Sequence, residues 1–221
     1  MNIIAQLEAD IQHRHLSQHQ FYQLWNEGKV SKEALQEYAK EYFQFVQLFP
    51  RLVSRIHSNT PDEADRLKIL ENLNEEENPE LPHTELWVRF AEGIGVSRED
   101  MFNTKPLPAT KKMLATMQEL ADKSYLEGCA AVLGYEGQIS EIAILKQKGL
   151  EQHYDIHDKR ALEFFEEHGE VDLEHQKTWK ELIAKNATEE QYPAIRNAIK
   201  TSLDAQWKLL DGIYDAYCEA C

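Results

Sequence analysis

YLEGCAAVLGYEGQISEIAIL, residues 125–145, is apolar on most sides of a helix and therefore predicts the central helix of the fold. Glu136 lies in the middle of this stretch, near Val132, Leu133 and Ile139 on the helix surface. A carboxylate in such surroundings needs a positive partner or a raised pKa. Two interpretations remain open: Glu136 belongs to a functional site, or the helix is more exposed than its composition indicates. Glu141 could equally be the solvated acid of the two.

Apolar residues recur at helical spacing along the rest of the chain, and several polar residues indicate where helices begin. Ser31, Ser97 and Thr188 are predicted N-caps, and the segment 60–63 (TPDE) predicts a capping box with Pro61 at the first helical position.

Two proline-containing regions predict interruptions of the helical pattern. Pro50 should kink or end the helix that begins after Ser31, and the stretch 103–110, with two prolines, predicts a loop. We find no strand alternation, repeat or linker. The sequence therefore predicts a single all-α domain over residues 1–221, built from about seven or eight helices.

Composition excludes several classes of protein. The 221 residues carry a formal net charge of −15, which repels nucleic acid and anionic membranes. No apolar run approaches the length of a membrane helix, and the start, MNIIAQLEAD, lacks the basic region of a signal peptide. Only three cysteines are present, so a disulfide framework is not expected. We therefore expect a cytoplasmic protein with neither nucleic-acid nor membrane partners.

Polar residues interrupt an apolar helical stripe between residues 158 and 185. His168, Asp172 and His175 have offsets of 4 and 7, which would place them within an arc of about 60° on a continuous helix. Their side chains point where core residues belong, and burial without partners would cost several kcal/mol. Either a metal site or a hydrogen-bonded polar seam would compensate that cost. The interrupted stripe consists of Ala161, Phe164, Phe165, Trp179, Leu182 and Ile183.

A third polar segment is NEEENPELPHTELW, residues 74–87. Glu75, Glu76 and Glu77 end a predicted helix, where their charge opposes the helix dipole, and His83 precedes the next amphipathic stretch. A solvated loop is the simplest interpretation of this segment alone. Combined with the other two segments, it gives two or three carboxylates and three histidines. Such donors suit two redox-active transition metals better than Ca²⁺ or Mg²⁺. A ferritin-type bundle is disfavoured, because only one Glu-x-x-His match exists and it contains Pro82.

These segments resemble the haem-oxygenase-like superfamily of PqqC and TenA proteins, and within it the di-metal oxidases related to CADD-like para-aminobenzoate synthases. The similarity includes HQFYQLW at 19–25, ENLNEEEN at 71–78, YEGQI at 135–139 and EEHGEVDLEH at 166–175. The resemblance implies a haem-oxygenase-like helical bundle, often homodimeric, with a dinuclear iron site or an iron and manganese site. It implies O₂ and an external reductant as co-reactants. The implied ligands are Glu76, His83, Glu136, His168, Asp172 and His175.

The resemblance also implies catalytic residues. In CADD-like synthases a tyrosine of the enzyme supplies the ring of para-aminobenzoate, a folate precursor, and a lysine is implicated as the amino donor. Tyr22 and Lys146 fall at the matching positions, and Tyr38 matches a further tyrosine near the site. Lys146 follows Glu136 by ten residues, broadly on the same half of the helix. Without the resemblance, core packing for Tyr22 and solvent exposure for Lys146 would be the ordinary interpretations.

Two other functions remain open at this point. One is an oxygenase with the same metals that acts on an external fatty or amino acid and leaves Tyr22 intact. The other is a non-catalytic interaction module of the death-domain-associating type, for which the acidic surface would matter most. A thiamin-hydrolase function is disfavoured because the spacing of Cys129 to Tyr135 does not fit that pattern.

Overall fold

The computed structural model describes residues 2–170 and 172–218, without the side chains of residues 170 and 172–174. Within these residues the chain is all-helical, as predicted, but it forms eleven α-helices rather than seven or eight. Two of these helices have only six or seven residues, too few to show a helical period, and the stretch 158–185, treated as one helix in the sequence, contains two. The helices are α1 (Ile3–His13), α2 (Gln20–Asn26), α3 (Lys32–Asn59), α4 (Glu63–Glu76), α5 (His83–Gly93), α6 (Arg98–Asn103), α7 (Pro108–Asp122), α8 (Tyr125–His153), α9 (Lys159–Glu170), α10 (Asp172–Asn186) and α11 (Tyr192–Tyr217).

Helix α8 forms the centre of the fold, as the sequence predicts. It begins at a capping box, in which Ser124 accepts from the N–H of Glu127 and the Glu127 carboxylate accepts in return. Helices α7, α9, α10 and α11 pack around it, and α2 and α3 cover a further side. Gly149 allows the approach of α2, because a Cβ there would lie 2.6 Å from the ring of Trp25. Most of α8 is therefore buried.

The predicted helix starts are partly correct. Ser31 and Ser97 cap α3 and α6 through hydrogen bonds from Ala34 N and Asp100 N. Thr188 begins a 3-10 turn, Glu189–Gln191, rather than an α-helix.

The capping box predicted at Thr60 is wrong. Asp62 is the N-cap of α4 and accepts from Asp65 N, whereas the Thr60 hydroxyl donates to the Ile56 carbonyl at the end of α3. Thr60 thus caps the preceding helix, and Pro61 lies outside α4.

Neither proline prediction is fully correct. Helix α3 continues through Pro50 to Asn59, because Phe49, Leu52 and Val53 are buried and their packing outweighs a cost of ~3 kcal/mol for an interior proline. Pro108 is the first residue of α7, where a proline needs no N–H donor, so the loop is shorter than predicted.

No helix in the described part of the chain is both long enough and apolar enough to cross a membrane.

Candidate functional site

Three of the six implied metal ligands lie together. One ligand atom each from Glu76, His83 and His168 lies within 4.8 Å of the other two, and all three residues are buried. We call these residues the metal-donor group. Helix α4 ends at Glu76 and α5 begins at His83, so the short connection between the helices brings these two donors together. His168 reaches the same place from near the end of α9.

Contacts within and beside the metal-donor group define the tautomer of one of its imidazoles. Glu76 Oε2 lies 3.0 Å from His83 Nδ1, and the rings of His83 and His168 are 4.6 Å apart. His168 Nδ1 lies 2.7 Å from the Phe164 carbonyl oxygen. Because a carbonyl only accepts, Nδ1 carries the hydrogen and the lone pair of neutral His168 is on Nε2. Coordination of a metal requires that lone pair.

The charge of Glu76 suits a cation site. Burial raises the pKa of this carboxyl, but the neighbouring His83, His168 and His175 outweigh that effect and bring the pKa below its ordinary value. Glu76 is therefore an ionised carboxylate, only 6% exposed, next to imidazole rings. Mixed carboxylate and imidazole donors fit iron and manganese, so the donor set is compatible with the implied metals.

Two further implied ligands form a pair beside this group. Glu136 is 1% exposed, whereas the side chain of Glu141 is 63% exposed. His175 Nδ1 lies 3.9 Å from Glu136 Oε1, and its Nε2 lies 2.7 Å from Glu75 Oε2. Neither Glu136 nor His175 belongs to the closer cluster of three within the described residues. The side chain of Asp172, the sixth implied ligand, lies outside the described residues.

The three implied catalytic residues also meet. Lys146 Nζ donates to the Tyr38 hydroxyl at 2.6 Å, and the hydroxyls of Tyr38 and Tyr22 are 2.9 Å apart. Nζ also lies 4.9 Å from the centre of the Tyr22 ring. We call Tyr22, Tyr38 and Lys146 the tyrosine–lysine network. The rings of Tyr42 and Trp87 complete the enclosure of Nζ, at 4.7 and 5.8 Å.

Burial shifts the pKa values in the tyrosine–lysine network towards the uncharged forms. Lys146 is only 2% exposed, and its burial lowers the pKa of the amine well below the ordinary value. Burial likewise raises the pKa values of Tyr22 and Tyr38 above those of exposed phenols. Burial therefore favours the neutral amine over the ammonium and the neutral phenols over the phenolates.

Aromatic rings connect the network to the metal-donor group. The Phe164 ring stacks on His168 at 3.9 Å, and the Trp87 ring lies 4.8 Å from Phe164. Trp87 in turn contacts Tyr42 at 4.7 Å. The two regions lie at different levels of α8. Glu136 and Lys146 are ten residues apart, which is ~15 Å along the helix axis, so the aromatic rings span the distance between them.

Sequence reasoning missed two residues that contact Glu136. Asn72 Nδ2 donates to Glu136 Oε1 at 3.1 Å, and Trp179 Nε1 donates to Glu136 Oε2. The apolar stripe assigned Trp179 to the core, which its burial confirms, but a buried indole N–H also needs an acceptor. This need for an acceptor was the signal in the sequence that could have identified Trp179 as the partner of a buried polar group.

The buried Cys129 does not fit a nucleophile. Burial raises the pKa of its thiol well above the ordinary value, so the reactive thiolate is suppressed. The burial of Cys129 therefore argues against a thiamin hydrolase in the same direction as its spacing to Tyr135 in the sequence.

Comparison with known proteins assigns the fold and the family. The model of the TENA/THI-4/PQQC family matches residues 5–216. The chain belongs to this family. A 4-aminobenzoate synthase from Nitrosomonas europaea is 36% identical, over 96% of this chain and 91% of that protein. A second, from Chlamydia pneumoniae, is 34% identical, over 96% and 95%. A haem-oxygenase-like domain of unknown function from Shewanella denitrificans superposes with a TM-score of 0.76 at 18% identity, over 97% of this chain and 90% of that chain. The fold is therefore haem-oxygenase-like.

Proposed function

We propose that this protein is an O₂-dependent oxidase with a dinuclear metal centre that forms para-aminobenzoate, with Tyr22 as ring source and Lys146 as amino donor. One observation carries the proposal: a buried metal-donor group and a buried tyrosine–lysine network occur in the same helical bundle. Relatives that are named 4-aminobenzoate synthase and cover nearly the whole chain support it.

The chain offers donors for two metals. Glu76, His83 and His168 would hold one, and Glu136 and His175, with Asp172 as the resemblance implies, would hold the other. Bound iron, with manganese or a second iron beside it, would supply one-electron redox chemistry with O₂. The Nδ1 hydrogen bond to Phe164 selects the tautomer of neutral His168 that leaves the Nε2 lone pair for a metal.

The tyrosine–lysine network prepares the amine for attack on a ring. An ammonium has no lone pair, so a lysine nucleophile must be neutral, and burial lowers the pKa of Lys146 in the direction that favours the neutral amine. Nζ donates one N–H to the Tyr38 oxygen, which orients the amine without using its lone pair. The Tyr38 hydroxyl can then donate to the Tyr22 oxygen, so that Tyr38 holds both reactants.

The surrounding rings exclude water from these reactants. Tyr22, Tyr38 and Lys146 are all buried, and Tyr42 and Trp87 enclose the amine. Exclusion of water protects an oxidised ring from addition of water and leaves the amine as the nearest nucleophile.

Product formation tests the proposal directly. Protein loaded with Fe²⁺ and Mn²⁺, and given O₂ and a reductant, should release at most one para-aminobenzoate per chain. Tyr22→Phe should release none, because phenylalanine lacks the oxidisable hydroxyl. Tyr192→Phe, outside the network, is the matched control and should behave like wild type. Product from Tyr22→Phe would show that the ring comes from elsewhere.

Intact mass separates this function from an oxygenase with an external substrate. Loss of the Tyr22 side chain should reduce the mass of the chain during the reaction. An enzyme that turns over many times and keeps its mass would instead act on an external substrate.

A further inference from the structure

The carboxylate of Glu136 is held by two neutral donors from two other helices. Asn72 on α4 donates to Oε1 at 3.1 Å, and Trp179 on α10 donates to Oε2. All three residues are almost completely buried. Both oxygens of a carboxylate at the centre of α8 are thus fixed in direction by side chains that carry no charge.

Each donor lies one helical turn from an implied ligand. Asn72 precedes Glu76 by four residues on α4, and Trp179 follows His175 by four residues on α10. Residues four apart lie on the same face of a helix. The hydrogen bonds to Glu136 therefore link its carboxylate to the two helices that carry Glu76 and His175.

Neutral donors suit this task better than a lysine or arginine. A cationic partner would cancel the carboxylate charge, whereas an amide or indole N–H orients the group and leaves the charge. A carboxylate oxygen has two acceptor directions, so one hydrogen bond does not prevent coordination by the same oxygen. The buried Asp65 illustrates the other arrangement, because Lys185 Nζ lies 2.8 Å from its Oδ1.

We infer that Asn72 and Trp179 are positioning residues that orient Glu136 as a ligand of the second metal. The inference rests on the proposed dinuclear centre. It extends that function to two residues that would act on the metal only through their hydrogen bonds to Glu136. Outer hydrogen bonds of this type are worth about 10- to 100-fold in metal affinity.

Metal titration of the unloaded 221-residue chain tests the inference without an activity assay. Co²⁺ is the probe, because its absorption spectrum reports the geometry of each bound ion. Wild type should bind two equivalents. Trp179→Phe keeps a buried ring and Asn72→Leu keeps a similar volume, yet each should weaken one equivalent by about tenfold or more and change its spectrum.

A matched control separates orientation from stability. Asn186 Nδ2 donates to the buried Asp65 Oδ2 at 2.8 Å, so Asn186→Leu also removes a neutral donor from a buried carboxylate. This variant should leave both Co²⁺ equivalents and their spectra unchanged. Circular dichroism and thermal unfolding of the unloaded proteins identify a variant that fails to fold. If one of the two donor variants fails to fold, the other donor variant tests the inference.

The outcomes distinguish this inference from the proposed function. If wild type binds two Co²⁺ ions and both donor variants bind them with the same affinity and spectrum, the positioning role is wrong and the proposed function stands. If Asn186→Leu weakens binding as much as the donor variants, the effect is one of stability and the inference is wrong. If wild type binds no metal, the proposed function fails and the positioning role fails with it.

Discussion

In the metal-donor group the surroundings favour the charged form of a buried carboxylate, whereas in the tyrosine–lysine network they favour the neutral form of a buried amine. Neighbouring imidazoles bring the pKa of Glu76 below its ordinary value despite burial. Burial alone lowers the pKa of Lys146. In the proposed function the two regions would use the same low-polarity interior for opposite purposes: the first would hold a cation, and the second would keep a nucleophile reactive.

Their positions in the helices differ as well. Glu76 ends α4, His83 begins α5 and His168 lies near the end of α9, so connections between helices bring the donors together. Tyr38 and Lys146 lie inside the long helices α3 and α8, where helix packing and the hydrogen bond between the two side chains bring them together. We expect the first region to respond mainly through metal binding and the second through reactivity and pH.

His168→Ala should have the largest effect. It removes an implied ligand from the metal-donor group while the tyrosine–lysine network keeps its own contacts. Loss of a residue that only orients a ligand costs about 10- to 100-fold in affinity, so loss of a ligand should exceed ~100-fold for that metal. Metal content after dialysis and para-aminobenzoate release are the measurements, and the product should fall below detection.

The control for this variant is His157→Ala, because the His157 side chain is exposed and lies between α8 and α9. It should keep the wild-type metal content and product yield. Full metal loading of His168→Ala would remove that residue from the ligand set and break the proposed contrast between the two regions.

Lys146→Met should stabilise the protein at neutral pH while abolishing the product. The amine has a pKa below its ordinary value when folded, so between that pKa and ~10.4 the unfolded chain binds a proton that the folded chain does not. Wild-type stability therefore rises with pH across this window, and methionine removes the penalty. A gain of roughly 1 kcal/mol would raise Tm by about 2–4 °C for a chain of this size.

Thermal unfolding at a series of pH values checks this prediction. The advantage of Lys146→Met over wild type should shrink as the pH approaches 10. Lys111→Met, at an exposed position on α7, should follow the wild-type profile. A Lys146→Met variant that is less stable than wild type at pH 7 would mean that the amine is charged and paired in the folded protein.

The sequence alone indicated where polar chemistry lies but not how it is supported. Glu136 stood out because a charged residue inside an apolar helix contradicts the helical pattern, and burial of this residue confirms the anomaly. The choice of Glu76 among three adjacent acids came from the resemblance. In the structure Glu76 is buried beside His83, whereas the Glu75 side chain is 50% exposed.

Other features depend on distances that a linear pattern does not contain. The bonds from Asn72 and Trp179 to Glu136 require three helices to pack at one level. Thr60 was wrongly assigned as an N-cap because its hydroxyl can serve either the helix before it or the one after it, and the Ile56 carbonyl accepts it. Periodicity predicts the buried face of a helix, but tertiary packing decides which polar atoms meet there.

Glu75→Gln should have the smallest effect. It tests whether Glu75 only supports His175 through a hydrogen bond or is itself a metal ligand. Glu75 Oε2 lies 2.7 Å from His175 Nε2, and a carboxylate on the outer nitrogen of a histidine ligand raises its basicity. Because the Glu75 side chain is half exposed, solvent should weaken this support, and the loss in affinity for one metal should stay near or below ~10-fold. Titration with Co²⁺ measures the loss. Glu77→Gln, at the exposed position two residues further along, should show no change. A loss as large as that of His168→Ala would instead identify Glu75 as a direct ligand, and the assignment of Glu76 among the three acids would need revision.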